Sequence, residues 1–398
     1  MAPRSTVPAS ALATVQVSRR GATRVRDGHP WIYQSDLSAH GVAPGALVTV
    51  RDERGKVLGT ALYSSSSQIA LRMLSAELVS DLSELIRKRI ADAVQYRKHL
   101  VTGSDAYRVI FSEADFLPGL IVDRYNDILT FQVLTQGMDS QEVREALLSG
   151  LTGHFHPAGI AERVDARVRE LESLPARASG LVQGEKSSTT FTMNDVRFHY
   201  DSGEGQKTGA FLDQRENYAA AASYAHGEAL DVFCYHGGFA LHLAKVCSQV
   251  TGVDSSRPAL ETADQNAALN GHEIEWIEAN AFDLLKDYAS ARRLYDTIVL
   301  DPPAFAKGKR NLETALRGYK ELNLRALKML RPGGVLVTCS CSYHVSEAEF
   351  LTMLSAACAD SRRQARIMEK RGQAKDHPIL ATVPETAYLK CVILAVTY

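Results

Sequence analysis

Three patterns of apolar and polar positions follow one another along the chain. In residues 12–75 the segments ATVQV, ALVTVRD, KVLGTALYS and QIALRML largely alternate apolar with polar residues, and glycine or proline separates them. A period of two predicts β-strands, and glycine and proline favour the turns between strands. The first pattern therefore predicts a small β-barrel or sandwich.

A helical period begins near residue 76. In ELVSDLSELIRKRIADAVQYRKHL the apolar residues recur every three or four positions, which predicts an amphipathic helix. The later segment RVIFSEADFLPGLIVDRYNDILTFQVLTQGM alternates like a β-hairpin with YND at its turn. Residues 76–200 are therefore predicted to form a small α+β domain.

Short apolar strands then alternate with helical stretches to the end of the chain. The predicted strands are residues 229–233, 249–254, 274–279, 296–301 and 334–340. This alternation predicts a parallel doubly wound sheet, and such sheets bind ligands beyond the carboxyl ends of their strands. The predicted fold class is α/β, with a Rossmann-like domain at 201–398 preceded by a β-barrel at 1–75 and an α+β domain at 76–200.

Composition places the chain among globular proteins. Its 398 residues are 45% hydrophobic and 23% charged, and no apolar run approaches the ~20 residues that cross a bilayer. The first residues lack a charged segment followed by a long apolar core, so we expect no signal peptide and a cytoplasmic location. The six cysteines show no metal-ligand spacing, which favours reduced thiols and no metal site.

Charge is unevenly distributed, although the net charge is only −1. Residues 1–75 hold nine Lys and Arg against four Asp and Glu, a net charge of +5, which leaves −6 for the rest of the chain. A basic module on an acidic body is typical of an enzyme that captures a polyanion with one part and reacts with another. Chance clustering of surface arginines is the alternative.

The strand–loop–helix segment LDVFCYHGGFALHLA begins the candidate cofactor site. It has neither GxGxxG nor a P-loop lysine, so a dinucleotide or a nucleoside triphosphate is disfavoured. Gly237 and Gly238 would let a ligand approach the backbone, and Asp254 ends the next strand, where a ribose diol would lie. Asn280 and Asp283 follow the third strand, beside the expected adenine position. This order of motifs resembles the class I S-adenosylmethionine-dependent methyltransferases, which implies S-adenosyl-L-methionine as the cofactor.

The segment IVLDPPAFAKGK after the fourth strand is the candidate reaction centre. Pro302 and Pro303 fix two φ angles and remove two N–H donors, so Asp301 would begin a rigid loop that faces a flat polar substrate. Methyltransferases that act on bases share this pattern. Phe305 would either stack on the base or pack against the sheet, and the sequence does not decide between these roles.

Two cysteines lie in LVTCSCSYH, at the end of the fifth strand. C5 of a pyrimidine is a poor nucleophile, so an enzyme that methylates it first adds a thiolate to C6 while an acid, here Asp301, supports N3. Cys339 and Cys341 face the same way on an extended segment, and spacing alone does not choose between them. Cys341 lies nearer the carboxyl end, whereas Cys339 suits the core, and packing is the alternative for either thiol.

Longer segments carry a more specific resemblance. RVRDGHPWIYQSDL, FLPGLIVDRYND, GQKTGAFLDQRENY, DVFCYHGGFALHLA, DPPAFAK, SCS and DHPILATVPETAYLK occur in this order along the chain. Together they resemble the bacterial large-subunit (23S) ribosomal RNA (cytosine-C5) methyltransferase I family. In that family the first segment opens an RNA-binding PUA β-barrel, the second belongs to a central α+β domain, and the others belong to the catalytic domain. The resemblance implies that the chain forms 5-methylcytosine in ribosomal RNA of the large subunit or its precursor, with a homodimer left open.

The resemblance also assigns residues. The family motif SCS places its cysteine on Cys341, which favours Cys341 over Cys339, so the expected catalytic residues are Cys341 and Asp301. The segment FLDQR implies that Phe211, Asp213 and Arg215 shape the cofactor pocket; the alternative is that Asp213 and Arg215 pair with each other. The expected cofactor-binding residues are Phe211, Asp213, Arg215, Asp231, Phe233, Tyr235, Gly237, Gly238, Asp254, Ser255, Asn280, Ala281, Asp283 and Asp301. The expected RNA-binding residues are Arg19, Arg20, Arg24, His29, Pro302, Pro303 and Phe305.

One position departs from better-known RNA cytosine-C5 methyltransferases. Those enzymes carry a second cysteine directly after the proline pair, and this chain has Ala304 there. Release of the product therefore needs another base, with Tyr343, His344 and water all open. Two other functions stay open as well: methylation of an exocyclic amino group of guanine or adenine, and RNA binding in ribosome assembly without catalysis.

Overall fold

The computed structural model describes residues 12–39, 41–203, 210–306 and 308–397. These residues form two compact units. The described residues within 1–189, 200–209 and 375–386 form the first unit, and those within 190–199, 210–374 and 387–398 form the second. The three-domain division of the sequence stays a prediction.

Strands often follow one another directly in the first half of the described chain, and helices alternate with strands from α5 to β18. The helices are α1 (Arg19–Arg26), α2 (Leu82–Leu100), α3 (Gln141–Phe155), α4 (Ala166–Leu171), α5 (Arg215–Tyr224), α6 (Gly238–Leu243), α7 (Arg257–Asn270), α8 (Ala281–Ser290), α9 (Leu312–Met329) and α10 (Glu347–Ser361). The strands are β1 (Ala13–Val17), β2 (Trp31–Tyr33), β3 (Leu47–Asp52), β4 (Val57–Tyr63), β5 (Ile69–Ser75), β6 (Ala106–Phe111), β7 (Leu120–Tyr125), β8 (Ile128–Val133), β9 (Gly159–Glu162), β10 (Gly180–Gly184), β11 (Ser188–Met193), β12 (Val196–Asp201), β13 (Glu228–Val232), β14 (Gln249–Asp254), β15 (Glu275–Glu278), β16 (Tyr295–Leu300), β17 (Leu330–Ser340), β18 (Ala365–Arg371) and β19 (Lys390–Val396). Among the described residues, no helix combines the length and the apolar character needed to cross a membrane.

The first unit begins with a five-stranded sheet in the order β1–β3–β4–β5–β2. Four of these strands coincide with the segments that alternation predicts, and their inward residues, such as Val15, Val48 and Leu71, are fully buried. Helix α1 was not predicted, because an eight-residue helix with few apolar residues is too short to show a clear period. Its first turn is capped by Ser18, whose side chain accepts a hydrogen bond from the Gly21 amide at 3.2 Å.

A second sheet of the first unit has the order β10–β9–β8–β7–β6. The predicted amphipathic helix is α2, which buries Ile86 and Ile90 in the same hydrophobic cluster as residues of this sheet. The predicted hairpin is β7–β8, and Asn126 in its turn has a φ of 52°, a left-handed conformation that asparagine tolerates. Leu62 and Leu74 of the first sheet belong to that cluster too, so both sheets of the first unit share a core.

The second unit is organised by a seven-stranded sheet in the order β15–β14–β13–β16–β17–β19–β18. The five predicted strands are all present, and each pairs in parallel with its neighbour, which confirms the α/β class. The chain order reverses at β13, between β14 and β16, and a doubly wound sheet has its ligand crevice at the carboxyl ends of such strands. Strands β18 and β19 were not predicted; β19 is antiparallel to both β17 and β18.

Candidate active site

The loop after β13 has an unusual backbone conformation. Phe233 and Tyr235 have φ angles of 69° and 49°, and Gly237 has a φ of 82°. Left-handed conformations are rare for residues other than glycine and cluster at functional sites. The loop is held to the end of β14, because the amides of Phe233 and Cys234 donate to the Val253 carbonyl at 2.8 and 3.0 Å.

Each of the two positions in this loop requires glycine for a different structural reason. Gly237 adopts the left-handed conformation that precedes α6. Gly238 has no such φ angle, but a Cβ atom there would lie 2.5 Å from the ring of Tyr218, so the glycine makes room for this aromatic side chain. Packing against Tyr218 therefore explains Gly238, and its contact with a cofactor stays a prediction.

Asp231, near the end of β13, is fully buried. Its Oδ2 accepts a hydrogen bond from the Ala240 amide at 2.8 Å, whereas its Oδ1 finds no hydrogen-bond partner among the described residues. Burial raises the pKa of this carboxyl to about 8; the Ala240 bond opposes the shift, and the charges of Asp301 and Asp254 add to it. A buried carboxylate oxygen without a donor suits a cationic or hydrogen-bonding ligand nearby.

The acid at the end of β14 fastens the loops around it. Asp254 accepts hydrogen bonds from the Tyr235 amide at 3.0 Å and from the Ser256 amide at 2.9 Å. Its side chain is partly buried, whereas Ser255 beside it is exposed. The carboxylate thus lies at the carboxyl edge of the sheet, where the sequence predicted a ribose-binding acid.

The turn after β15 has a clear capping function. The side chain of Asn280 accepts hydrogen bonds from the amides of Phe282 at 2.9 Å and Asp283 at 3.4 Å, and it thereby caps α8. Ala281 is buried, whereas Asn280 and Asp283 are exposed at the start of that helix. The described contacts explain Asn280 structurally, and adenine binding by this turn stays a prediction.

A cavity lined largely by aromatic rings lies beside the loop after β13. Two of its rings, Phe211 and Tyr235, meet edge to face with centroids 5.1 Å apart. Aromatic faces and a carboxylate together favour a cation. The lining includes Phe211, Tyr218, Phe233, Tyr235, Phe239 and Asp301.

The segment that contributes Phe211 is tied to the end of the sheet. Asp213 accepts a hydrogen bond from the Tyr388 hydroxyl at 2.6 Å through its carboxylate, and from the Ala374 amide at 2.8 Å through its carbonyl. The guanidinium of Arg215 is buried and lies 3.7 Å from a carboxylate oxygen of Glu216. These contacts join Asp213 and Arg215 to different residues. Lys207, Thr208 and Gly209, which precede this segment in the family motif, lie outside the described residues.

Asp301 begins the loop after β16, next to the cavity. Its amide donates to the Val232 carbonyl at 3.3 Å, and its side chain is hydrogen-bonded to Gln214. Burial and then the charge of Asp213 raise the pKa of the Asp301 carboxyl to about 7, and the Gln214 bond opposes this shift. Asp301 therefore exchanges a proton near neutral pH, as a general acid or base must.

The rest of this loop combines a buried and an exposed proline. Pro302 is buried, whereas Pro303 is exposed. The ring of Phe305 packs against Tyr319 and Phe282, with centroid distances of 4.8 and 6.0 Å. This geometry favours packing as the function of Phe305, and stacking on a base stays a prediction. Lys307, further along the motif, lies outside the described residues.

The structure separates the two candidate thiols. Cys339 is fully buried in β17 opposite Cys391 of β19, and burial raises its pKa well above the ordinary value. Cys341 follows the end of β17 and is partly exposed, with its Sγ 3.9 Å from the Pro302 carbonyl oxygen. A thiol must be accessible to act as a nucleophile, and of these two only Cys341 is partly exposed, beside the Pro302 carbonyl.

Lys390 is a residue of this region that sequence reasoning missed. It is 9% exposed, and its Nζ donates to the carbonyls of Ser342 at 2.7 Å and Tyr388 at 2.8 Å. Burial lowers the pKa of this ammonium to about 8, whereas Cys341 and Glu349 oppose the shift. A signal was present in the sequence, since Lys390 is the one charged residue of the apolar strand KCVILAV.

The residues expected to contact RNA through the amino-terminal region lie in the first unit. Arg19, Arg20, Arg24 and His29 line an open cleft with Thr382 and Pro384. The guanidinium groups of Arg20 and Arg24 contact the Asp36 carboxylate at 2.8 and 3.1 Å.

Ion pairs within the first unit already neutralise part of the positive charge of the cleft. Burial opposes ionisation of Asp36, but hydrogen bonds from Arg20, Ser18 and Arg24 lower the pKa of its carboxyl. His29 lies 3.4 Å from Glu385, and its Nδ1 accepts a hydrogen bond from the Trp31 amide. Arg19 is exposed on the cleft, so its charge is the most available of the four.

Similarity to known proteins covers nearly the whole chain. Residues 115–393 match the S-adenosylmethionine-dependent methyltransferase family, and residues 15–76 match the PUA-like domain family. A protein of Photobacterium profundum named ribosomal RNA large subunit methyltransferase I is 36% identical over 379 residues, which are 92% of this chain and 95% of that protein. A protein of Aeromonas hydrophila with the same name is 38% identical over 380 residues, with the same coverage of both chains.

Solved structures share the fold at low sequence identity. The methyltransferase SMU.776, crystallised with SAH, superposes with a TM-score of 0.83 at 18% identity, and the match covers 96% of this chain and 100% of that one. A methyltransferase from Streptococcus mutans superposes with a TM-score of 0.81 at 17% identity, again over 96% of this chain and 100% of the other. These likenesses show that this chain shares its fold with both proteins over nearly its whole length.

Proposed function

Because this chain belongs to the ribosomal RNA large subunit methyltransferase I family of S-adenosylmethionine-dependent methyltransferases, we propose that it methylates C5 of a cytosine in large-subunit ribosomal RNA through a covalent adduct with Cys341. The observation that carries the choice of C5 is the position of Cys341. This partly exposed thiol lies against the Asp301-Pro302 loop, at the carboxyl edge of the sheet. Methylation of an exocyclic amino group requires no thiol there.

The residues of the second unit fit the cofactor. S-adenosylmethionine carries a sulfonium cation, which suits the faces of the aromatic cavity. It also carries an ammonium group, which suits the Asp231 oxygen that has no hydrogen-bond partner among the described residues. Asp254 at the end of β14 would hold the ribose, and the strained loop after β13 would hold the methionine part. When bound, S-adenosylmethionine supplies an electrophilic methyl group.

Cys341 and Asp301 supply complementary chemistry toward the base. The Cys341 thiolate forms a bond to C6 of cytosine, and the electron pair of the C5–C6 double bond makes C5 nucleophilic. Protonated Asp301 donates to N3, where negative charge develops, and a carboxyl whose pKa is about 7 carries that proton near neutral pH. After C5 is methylated, a base removes the C5 proton, its electron pair forms the C5–C6 double bond again, and the C6–S bond breaks, which returns the thiolate. N3 gives its proton back to Asp301, which restores the acid.

The first unit would hold the RNA. Its PUA-like segment presents a cleft with the cationic side chains of Arg19, Arg20 and Arg24, and such groups bind phosphates without reading sequence. The partner we propose is therefore ribosomal RNA, bound in the cytoplasm as large-subunit RNA or its precursor. Pro303, exposed on the catalytic loop, is the proposed contact to the target base.

Product identity tests this function directly. We expect nucleoside mass spectrometry of large-subunit ribosomal RNA, incubated with the protein and S-adenosylmethionine, to show new 5-methylcytidine. A methylated purine would contradict the proposal and point to an exocyclic amino group. Binding of RNA without product, on naked RNA and on subunit precursors alike, would instead support an assembly factor.

Arg19 and Arg20 give a test of the RNA-binding cleft. We expect the double variant Arg19→Ala/Arg20→Ala to bind RNA more weakly and to reduce the slope of log affinity against log salt by about 1 to 2, since each phosphate contact contributes about 0.7 to 0.9. Filter binding over a salt series measures both quantities. Cofactor binding should not change, because these arginines belong to a different compact unit from the cofactor cavity.

A matched control for this test is Arg167→Ala, which removes an exposed arginine of α4 that does not line the cleft. An unchanged salt slope in the double variant would contradict the assignment. Substitution is preferable to deleting residues 1–75, because Leu62 and Leu74 belong to the cluster that buries α2, and the deletion would expose it.

A further inference from the structure

Lys390 is the first residue of β19 and lies opposite Ser340 of β17. Removing an ammonium group from water costs free energy unless hydrogen bonds and opposite charge compensate. Two carbonyl bonds, to Ser342 at 2.7 Å and to Tyr388 at 2.8 Å, fix the position of its Nζ. The first of these carbonyls belongs to the residue that follows Cys341, so the ammonium is held at the thiol-bearing turn.

The groups around Lys390 and Cys341 show what this charge can do. Cys341 and Glu349 are the titratable groups that favour the charged form of Lys390. Glu349 is occupied at the start of α10, where it accepts hydrogen bonds from the amide and hydroxyl of Ser346 at 2.8 and 2.6 Å. On the other side, Tyr319 interacts with Cys341, and its hydroxyl is bonded to the Ser342 hydroxyl at 2.9 Å. Among these groups Lys390 is the one that carries a positive charge, so it is the group that can stabilise a thiolate at Cys341.

We propose that Lys390 is a positioning residue that holds Cys341 as a thiolate, through an ammonium group fixed by the Ser342 and Tyr388 carbonyls. The inference rests on the proposed function, in which Cys341 attacks C6 of a cytosine. A neighbouring cation stabilises a thiolate against its thiol, and so increases the nucleophilic fraction near neutral pH. In this assignment Lys390 acts through Cys341 and forms no bond to the base.

Protonation of Lys390 sets the pH range of this effect. Burial lowers its pKa to about 8, so the ammonium is mostly charged at pH 7 and loses its charge as the pH rises through 8. The stabilisation of the thiolate is therefore present below that pH and disappears above it. It would be largest near neutral pH, where methyl transfer is expected.

The pH dependence of Cys341 alkylation tests this inference without RNA. The rate of modification by iodoacetamide is measured from about pH 5.5 to 10 by mass spectrometry of the Cys341 peptide, and we expect an apparent pKa below the ~8.5 of a free cysteine. In Lys390→Met this apparent pKa should rise by about one unit, because the positive charge that stabilises the Cys341 thiolate is removed. Lys390→Arg keeps a charge that does not titrate, so its value should stay close to that of the wild type.

Lys370→Met is the matched control, since Lys370 lies on the neighbouring strand β18 and pairs with Glu347 on the surface. Its Cys341 profile should equal that of the wild type. An unchanged apparent pKa in a folded Lys390→Met variant would overturn the inference. If the Lys390→Met variant does not melt cooperatively or does not bind S-adenosylhomocysteine, the apparent pKa of Cys341 in the wild type is the test. A wild-type value of about 8.5 or higher would also overturn the inference.

Failure of this inference differs from failure of the proposed function. If the thiol profile depends on Lys390 while the RNA product is a methylated purine, the function is wrong and the thiolate assignment stands. If 5-methylcytidine forms through Cys341 while the pH dependence of Cys341 alkylation is the same in Lys390→Met as in the wild type, the proposed function stands and Lys390 serves packing alone.

Discussion

Cys341→Ala is expected to abolish the formation of 5-methylcytidine, with a loss of turnover of at least about 10³-fold, because no other group near the cytosine replaces the nucleophile. Binding of S-adenosylhomocysteine should be unchanged, since Cys341 does not line the aromatic cavity. Turnover is measured by nucleoside mass spectrometry and cofactor affinity by calorimetry. RNA that contains 5-fluorocytidine adds a direct test, because fluorine at C5 prevents release and should trap a covalent complex with the wild type only.

The control for this substitution is Cys358→Ala, which removes a partly exposed thiol of α10 outside the site. We expect Cys358→Ala to keep the wild-type rate and to form the trapped complex. Turnover that survives Cys341→Ala would contradict the covalent mechanism. It would transfer the chemistry to an amino group and leave Cys341 as a packing residue.

Asp301→Asn is expected to lower turnover by about 10²-fold, because asparagine keeps the size of the side chain and a hydrogen bond but cannot release a proton to N3. The pH profile should change as well. Protonated Asp301 is the active form, so the wild-type rate should fall as the pH rises through about 7, where this carboxyl ionises. That descending limb should be absent in Asp301→Asn.

Thermal stability provides a second readout for the same variant. A carboxyl with a raised pKa in the folded state favours folding at low pH and loses this contribution as the pH rises through its folded pKa, here about 7. Asp301→Asn should therefore melt a few degrees above the wild type at pH 8 and close to it at pH 4. Asp287→Asn, on the exposed face of α8, is the matched control for both measurements. Equal pH profiles for wild type and Asp301→Asn would contradict the acid function.

Local features of the sequence were sufficient for the architecture. The strands β13, β14, β16 and β17 each contain a cluster of valine, leucine, isoleucine or alanine residues, and β4 and β5 have turns at their ends, so each could be located without its neighbours. Helix α1 and strand β19 are examples of elements that escaped prediction for physical reasons. Helix α1 is short and largely polar, and strand β19 has no helix before it to complete the alternating pattern.

Local sequence patterns also predicted some residues of the candidate site and missed the contacts of others. Asp254 and Asp301 were predicted because Asp254 ends a strand and Asp301 directly follows one, and parallel strands bring their carboxyl ends to one edge. Gly238 was predicted as a site of ligand approach, which stays a prediction, and the structure adds that this glycine accommodates Tyr218, a residue twenty positions earlier in the chain. No local pattern reports such a contact.

By itself, the sequence determined the order of strands and helices, the class of fold and the set of motifs at the carboxyl edge of the sheet, because these depend on periodicity and on short segments. Only the tertiary structure shows that the two thiols have different surroundings. Cys339 lies opposite Cys391 in the sheet interior, and Cys341 reaches the Pro302 carbonyl. Likewise, the tertiary structure alone placed Lys390 beside Ser342, 48 residues earlier. The physical reason is that pairing and register between distant strands arise from the packing of the whole sheet, which leaves no periodic signal in the chain.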